Sequence, residues 1–138
     1  MMVNDRMPEY CADRVARILN RQKKSICGTK ILVLGAAYKQ NIDDFRESPA
    51  ISVIQELLKR GAEVEYYDPW VPKFRRGELA MESLPELTEQ AVSEADMVVI
   101  ATAHTNVDYD LVSRCARTIF DTKNAMREIP YRDNIELL

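Results

Sequence analysis

The residues of this 138-residue chain that could do chemistry lie in four polar stretches. In the first, Lys39 and Arg46 stand between an apolar run at 31–34 and a helical pattern that begins near Ile51. A segment placed there joins a strand to a helix. Open α/β sheets collect ligands at the carboxyl ends of their strands, and a helix N-terminus favours anions. Two added cations suit a phosphorylated ligand. The alternative is a solvated loop in which Lys39 or Arg46 pairs with Asp43, Asp44 or Glu47. The second stretch holds Asp68, at the end of another strand-like run. An acid there binds ribose hydroxyls in a dinucleotide fold, but Asp68-Pro69 reads better as a turn. The third holds His104, the only histidine. A metal site needs further ligands. No serine or cysteine is evidently paired with it for general-base chemistry, so it reads as a polar loop residue near the ligand edge. The fourth holds Lys123, either a surface lysine or a second cation facing the anion held by Lys39.

The dinucleotide fingerprint is incomplete. G-x-G-x-x-G lets backbone approach a pyrophosphate. Here Gly35 is present, Ala37 stands where the second glycine belongs, and the loop is longer than that tight turn. Net charge is −3, from 19 Lys/Arg against 22 Asp/Glu. That balance gives no general attraction for nucleic acid or an acidic membrane, so any anion site is local. Three cysteines, Cys11, Cys27 and Cys115, are far apart in sequence. They suggest neither a disulfide framework nor a metal site, and they fit a cytoplasmic location. No signal peptide and no membrane span is expected.

The elements that must position these residues follow from periodicity. Residues 8–24 read as a helix with Pro8 in its first turn. Its stripe of Cys11, Val15, Ile18 and Leu19 could cover the following domain or a second copy of itself. Strands are expected at 30–35, 63–67, 96–101 and 118–120, with an edge strand at 135–138. Helices are expected from Ser48-Pro49, as N-cap and first residue, to Gly61, and again at 88–94 and 108–114. Residues 70–87, with Pro72 and Pro85, read as an irregular exposed connection. Strands alternating with helices imply an α/β, Rossmann-like three-layer sandwich: an open, mainly parallel sheet preceded by an N-terminal helix. Right-handed crossovers bring the loops carrying Lys39, Asp68, His104 and Lys123 to one edge.

The run Leu34-Gly-Ala-Ala-Tyr-Lys39, followed by Asp43-Asp-Phe-Arg-Glu-Ser-Pro49, resembles the C-terminal domain of the UDP-glucose/GDP-mannose dehydrogenases. Further similarities follow in order: Arg60-Gly-Ala-Glu-Val, Tyr67-Asp-Pro, Ala95-Asp-Met-Val-Val-Ile and Phe120-Asp-Thr-Lys-Asn. Asn4-Asp-Arg-Met-Pro8 resembles the start of the helical segment before that domain. Within the family, Ala37-Tyr-Lys39, Tyr67-Asp-Pro-Trp-Val-Pro72 and Thr102-Ala-His104 are most similar to UDP-N-acetylhexosamine 6-dehydrogenases.

This resemblance implies an NAD-dependent enzyme that oxidises C6 of a UDP-sugar to a carboxylate, as polysaccharide biosynthesis requires. Tyr38 and Lys39 match the pair that contacts the nucleotide sugar, with Lys39 near the phosphates. Arg46 matches the arginine that reaches the NAD pyrophosphate across a domain cleft. Lys123 falls where many members carry an arginine on the UDP portion; lysine keeps the charge but loses the bidentate fork. Residues 1–28 correspond to the end of a central, dimerising helix and its linker, and 29–138 to the UDP-binding domain. The NAD-binding domain and the catalytic cysteine are expected before residue 1, so no residue here is expected to be catalytic. A homodimer is implied for the full enzyme. A stand-alone nucleotide-binding or dimerisation module is the alternative.

Overall fold

In a strand, successive side chains point to opposite faces, and the apolar runs of this chain are buried on both. Ile31, Val33, Val99 and Phe120 enter one core; Leu32, Leu34, Val98, Ile100 and Ile119 enter the other. The computed structural model describes residues 2–37, 48–130 and 133–138, with side chains from Met7 onward. The element order is α1 (Met2–Arg21), β1 (Lys30–Leu34), α2 (Pro49–Lys59), β2 (Glu63–Tyr67), β3 (Lys73–Arg76), β4 (Leu79–Glu82), α3 (Glu89–Glu94), β5 (Met97–Ile100), α4 (Tyr109–Cys115), β6 (Ile119–Asp121) and β7 (Ile135–Leu137).

Five strands form one sheet in the order β2-β1-β5-β6-β7, and every pairing is parallel. Helices α1 and α2 cover one face; α3 and α4 cover the other. This is the expected Rossmann-like sandwich with its N-terminal helix. From β1 the chain moves outward to β2, then returns to place β5 on the other side of β1. The order therefore reverses between β1 and β5. In open α/β sheets the crevice beyond the carboxyl ends at such a reversal is where ligands bind.

Two features differ from the sequence expectation, the start of α1 and the stretch 70–87, and the α1 stripe takes the first of its two expected places. Helix α1 starts at Met2, so Pro8 lies inside it and not in its first turn, leaving one turn without an N–H donor. Its stripe, Cys11, Val15, Ile18 and Leu19, is buried in the chain's own core, where α1 lies over α2. Residues 70–87 are not an irregular connection throughout: β3 and β4 form an antiparallel hairpin. Gly77 takes φ +60 at the first of the two turn residues, the position where a II′ hairpin favours glycine. Phe74 anchors the hairpin against Tyr66, with ring centroids 5.2 Å apart.

Candidate functional site

The site is built around the exit of β1. Gly35 adopts φ +102, and a Cβ there would lie 2.4 Å from Thr102 Cβ and 2.7 Å from Thr102 N. Only glycine lets the β1 and β5 exits approach so closely. The next two residues, Ala36 and Ala37, are buried. Their N–H groups donate to Asp68 Oδ2 at 2.7 and 3.0 Å. The Ala37 carbonyl accepts the Thr102 hydroxyl at 2.9 Å and the Ser48 hydroxyl at 3.2 Å. The backbone at Ala37 is thereby held from the ends of β2 and β5 and from the start of α2.

Asp68 carries more than the Asp-Pro turn expected of it. Its Oδ1 accepts the N–H groups of Trp70 at 2.7 Å and Val71 at 3.1 Å, which is the turn. Its Oδ2 accepts Ala36, Ala37 and, at 2.9 Å, His104 Nε2. Both side chains are buried. Burial alone pushes the carboxyl pKa up. The His104 hydrogen bond, the Ala36 and Trp70 N–H groups and the His104 charge together outweigh it and hold Asp68 below its ordinary value. His104 lies in the loop after β5, at the expected ligand edge, as a buried partner of Asp68. Both Asp68 oxygens are occupied, so none is available for a ribose hydroxyl. With Ala37 in the fingerprint position as well, the described residues do not fit a dinucleotide between β1 and β2.

Helix α2 begins at the same edge. Ser48 holds the N-cap position but makes no side-chain cap, and the first turn contains no acid. Its hydroxyl is turned to Ala37 instead. Pro49 has no N–H to present. Among the described residues, no acidic side chain of the first turn and no Ser48 cap compensates the positive end of the α2 dipole at the sheet edge. Arg76 of the hairpin fixes this end, donating to Ser48 O at 3.0 Å and Ser52 Oγ at 2.7 Å.

Lys123 comes from the loop after β6. Buried Asp121 organises that loop by accepting the N–H groups of Lys123, Ala125 and Met126 at 3.0, 3.1 and 2.8 Å. Lys123 is exposed and shares a recess of about 60 Å³ with Pro49 and Ala50 at the start of α2, with Cys11 and with Thr122. Burial pushes the Cys11 thiol up against the opposing pull of Lys123 and Arg14, which keeps it an unreactive core residue. Among the described residues no cluster of His, Cys, Asp and Glu could hold a metal, and no helix is long and apolar enough to cross a membrane.

Tyr38, Lys39 and Arg46 lie outside the described residues. The described residues on either side, Ala37 and Ser48, are joined by the hydroxyl–carbonyl bond, between the exits of β1 and β5. Sequence reading missed Asp121, Arg76 and the clamp made by Asp68. The available signal was an acid directly after a buried strand and before a turn, at both Asp68 and Asp121.

The family model described as UDP-glucose/GDP-mannose dehydrogenase family, UDP binding domain, matches residues 32–128. That stretch runs from β1 through the loop after β6 and contains every strand end named above. UDP-N-acetyl-D-mannosamine dehydrogenase of Methanococcus maripaludis is 36% identical over 132 residues, 90% of this chain and 29% of that protein. UDP-glucose 6-dehydrogenase of Haloferax volcanii is 34% identical over 126 residues, 91% of this chain and 26% of that protein. The structure of the UDP-D-ManNAc dehydrogenase from Pyrococcus horikoshii aligns with a TM-score of 0.77 at 30% identity, covering 99% of this chain and 31% of that one. The chain therefore spans less than a third of the length of these relatives. It belongs to the UDP-glucose/GDP-mannose dehydrogenase family and corresponds to its UDP-binding domain.

Proposed function

We propose that this chain holds the nucleotide sugar in a cytoplasmic, NAD-dependent UDP-sugar 6-dehydrogenase acting on a UDP-N-acetylhexosamine. The observation that carries this reading is the recess shared by Lys123 and the start of α2, at the reversal of strand order. A cation and a helix N-terminus side by side favour a diphosphate. Lys39, two residues beyond the fixed Ala37, supplies the second cation, and Tyr38 contacts the nucleotide sugar. Arg46 reaches toward the pyrophosphate of an NAD held by a domain outside this chain. That division agrees with an Asp68 whose oxygens are already engaged.

The overall oxidation removes four electrons from C6, reduces two NAD to NADH and takes the second carboxylate oxygen from water. The contribution of this chain is binding and orientation. The apolar stripe of α1 is occupied within the chain, so a homodimer would use the opposite face of α1, where Tyr10 is exposed.

Calorimetric titration with UDP tests the reading. Saturable binding is expected, with Lys39→Ala weakening it by roughly tenfold, the loss of one charge-assisted contact. Equal affinities for wild type and Lys39→Ala contradict the phosphate role. Supplied with a UDP-sugar and NAD, this chain alone is expected to form no NADH; NADH formation contradicts the division of labour.

A further inference from the structure

We propose that Asp68 and His104 are positioning residues for nucleotide-sugar binding: the buried pair fixes the backbone of Ala36 and Ala37, through which the chain leads from β1 to the segment whose sequence carries Lys39. This rests on the reading that Lys39 holds the diphosphate. The sheet order places β1 between β2 and β5. Asp68 follows β2, and His104 lies in the loop after β5. A bond between them must therefore cross the exit of β1, and Ala36 and Ala37 are the residues it meets there. Three donors converge on one atom, Asp68 Oδ2: Ala36 N, Ala37 N and His104 Nε2.

The clamp is itself braced. The Tyr109 hydroxyl donates to the His104 carbonyl at 2.7 Å. Trp70, whose amide Asp68 also holds, reaches over to Asn106 with its indole N–H at 3.3 Å. Without the His104 N–H, one direction that fixes the carboxylate is lost, and Oδ2 can turn away from the two alanine amides. A displacement of about 1 Å where the chain leaves β1 is enough to spoil a well-aligned contact that depends on it. A residue that only filled space at position 104 would be replaceable by any apolar side chain of similar size. A positioning residue requires an N–H.

UDP affinity and melting temperature should be measured for the whole chain as wild type, His104→Leu, His104→Gln and Lys39→Ala. His104→Leu is expected to weaken UDP binding about fivefold or more while the folded chain persists. His104→Gln, which can return an N–H toward Oδ2, is expected to recover most of that loss. Equal affinities for wild type, His104→Leu and His104→Gln, with Lys39→Ala still weakened, overturn the positioning role alone. A Lys39→Ala affinity equal to wild type overturns the phosphate reading and this inference with it. Should His104→Leu not fold, amide exchange in wild type decides. Protected Ala36 and Ala37 amides whose resonances move on adding UDP support the clamp; unprotected or unresponsive amides overturn it.

Discussion

Gly35→Ala is expected to destabilise the domain by about 3 kcal/mol or more, through overpacking and backbone strain together. The added methyl would meet Thr102 Cβ at 2.4 Å and Thr102 N at 2.7 Å, from a residue at φ +102. Relief would require one exit loop to move, and both are tied. Gly35 N donates to Tyr67 O at 2.9 Å, and Thr102 N donates to Leu34 O at 3.1 Å. Gly28 provides the control: it has φ +81 but nothing within 4 Å of an added Cβ, so Gly28→Ala carries the strain alone, about 1 kcal/mol. At roughly 4 °C per kcal/mol, thermal melts should show Gly35→Ala losing more than about 10 °C and Gly28→Ala about 4 °C. Similar losses for the two would mean that the β1 and β5 exits are not in contact.

Asp68→Ala is expected to be comparably severe. It removes the buried side-chain acceptor of the Ala36, Ala37 and Trp70 N–H groups and of His104 Nε2, while the Val71 N–H keeps the carbonyl of residue 68 at 3.2 Å. Each buried donor left without an acceptor costs about 1–3 kcal/mol, and several together are a large share of the roughly 5–15 kcal/mol that holds a domain folded. The effect also has a pH signature. The folded-state pKa of Asp68 lies below its ordinary value, so its contribution is present above the unfolded pKa of about 3.9 and is lost as pH falls through the folded one. The gap in melting temperature between wild type and Asp68→Ala should therefore be widest near neutral pH and narrow below about pH 4. A gap that stays constant into acid would show that the Asp68 pKa is not lowered in the folded chain.

What the sequence made legible was what depends on local pattern. The run at 97–100 is apolar at every position and is buried at every position, as a strand covered on both faces must be. Thr88 and Asp108 cap α3 and α4 through their side chains, accepting from Ala91 N and Leu111 N. The hairpin was hidden because its inward residues are few. Phe74, Leu79 and Met81 alternate with charged or small neighbours, and Pro72 and Pro85 suggested a loop. Ser48 looked like an N-cap from its place before Pro49, yet its hydroxyl serves Ala37, eleven residues earlier in the chain.

The same limit explains the candidate site. Lys123 and the α2 start could be assigned to one edge from the alternation of strands and helices. That they share a recess depends on the reversal between β1 and β5. Asp68 and His104 are 36 residues apart, and nothing in either local sequence says that the exit of β1 passes between them. Both looked ordinary singly because their role lies in the crossing.

The most direct test of the central claim is a backbone NMR titration of the labelled chain with UDP. Saturable shifts are expected at the carboxyl edge of the sheet, at Ala36, Ala37, Thr102 and Lys123, while Thr29, Glu63, Asp96 and Thr118 at the opposite edge stay in place. Shifts centred on that opposite edge, or no saturable shifts at all, would contradict a UDP site at the β1–β5 reversal.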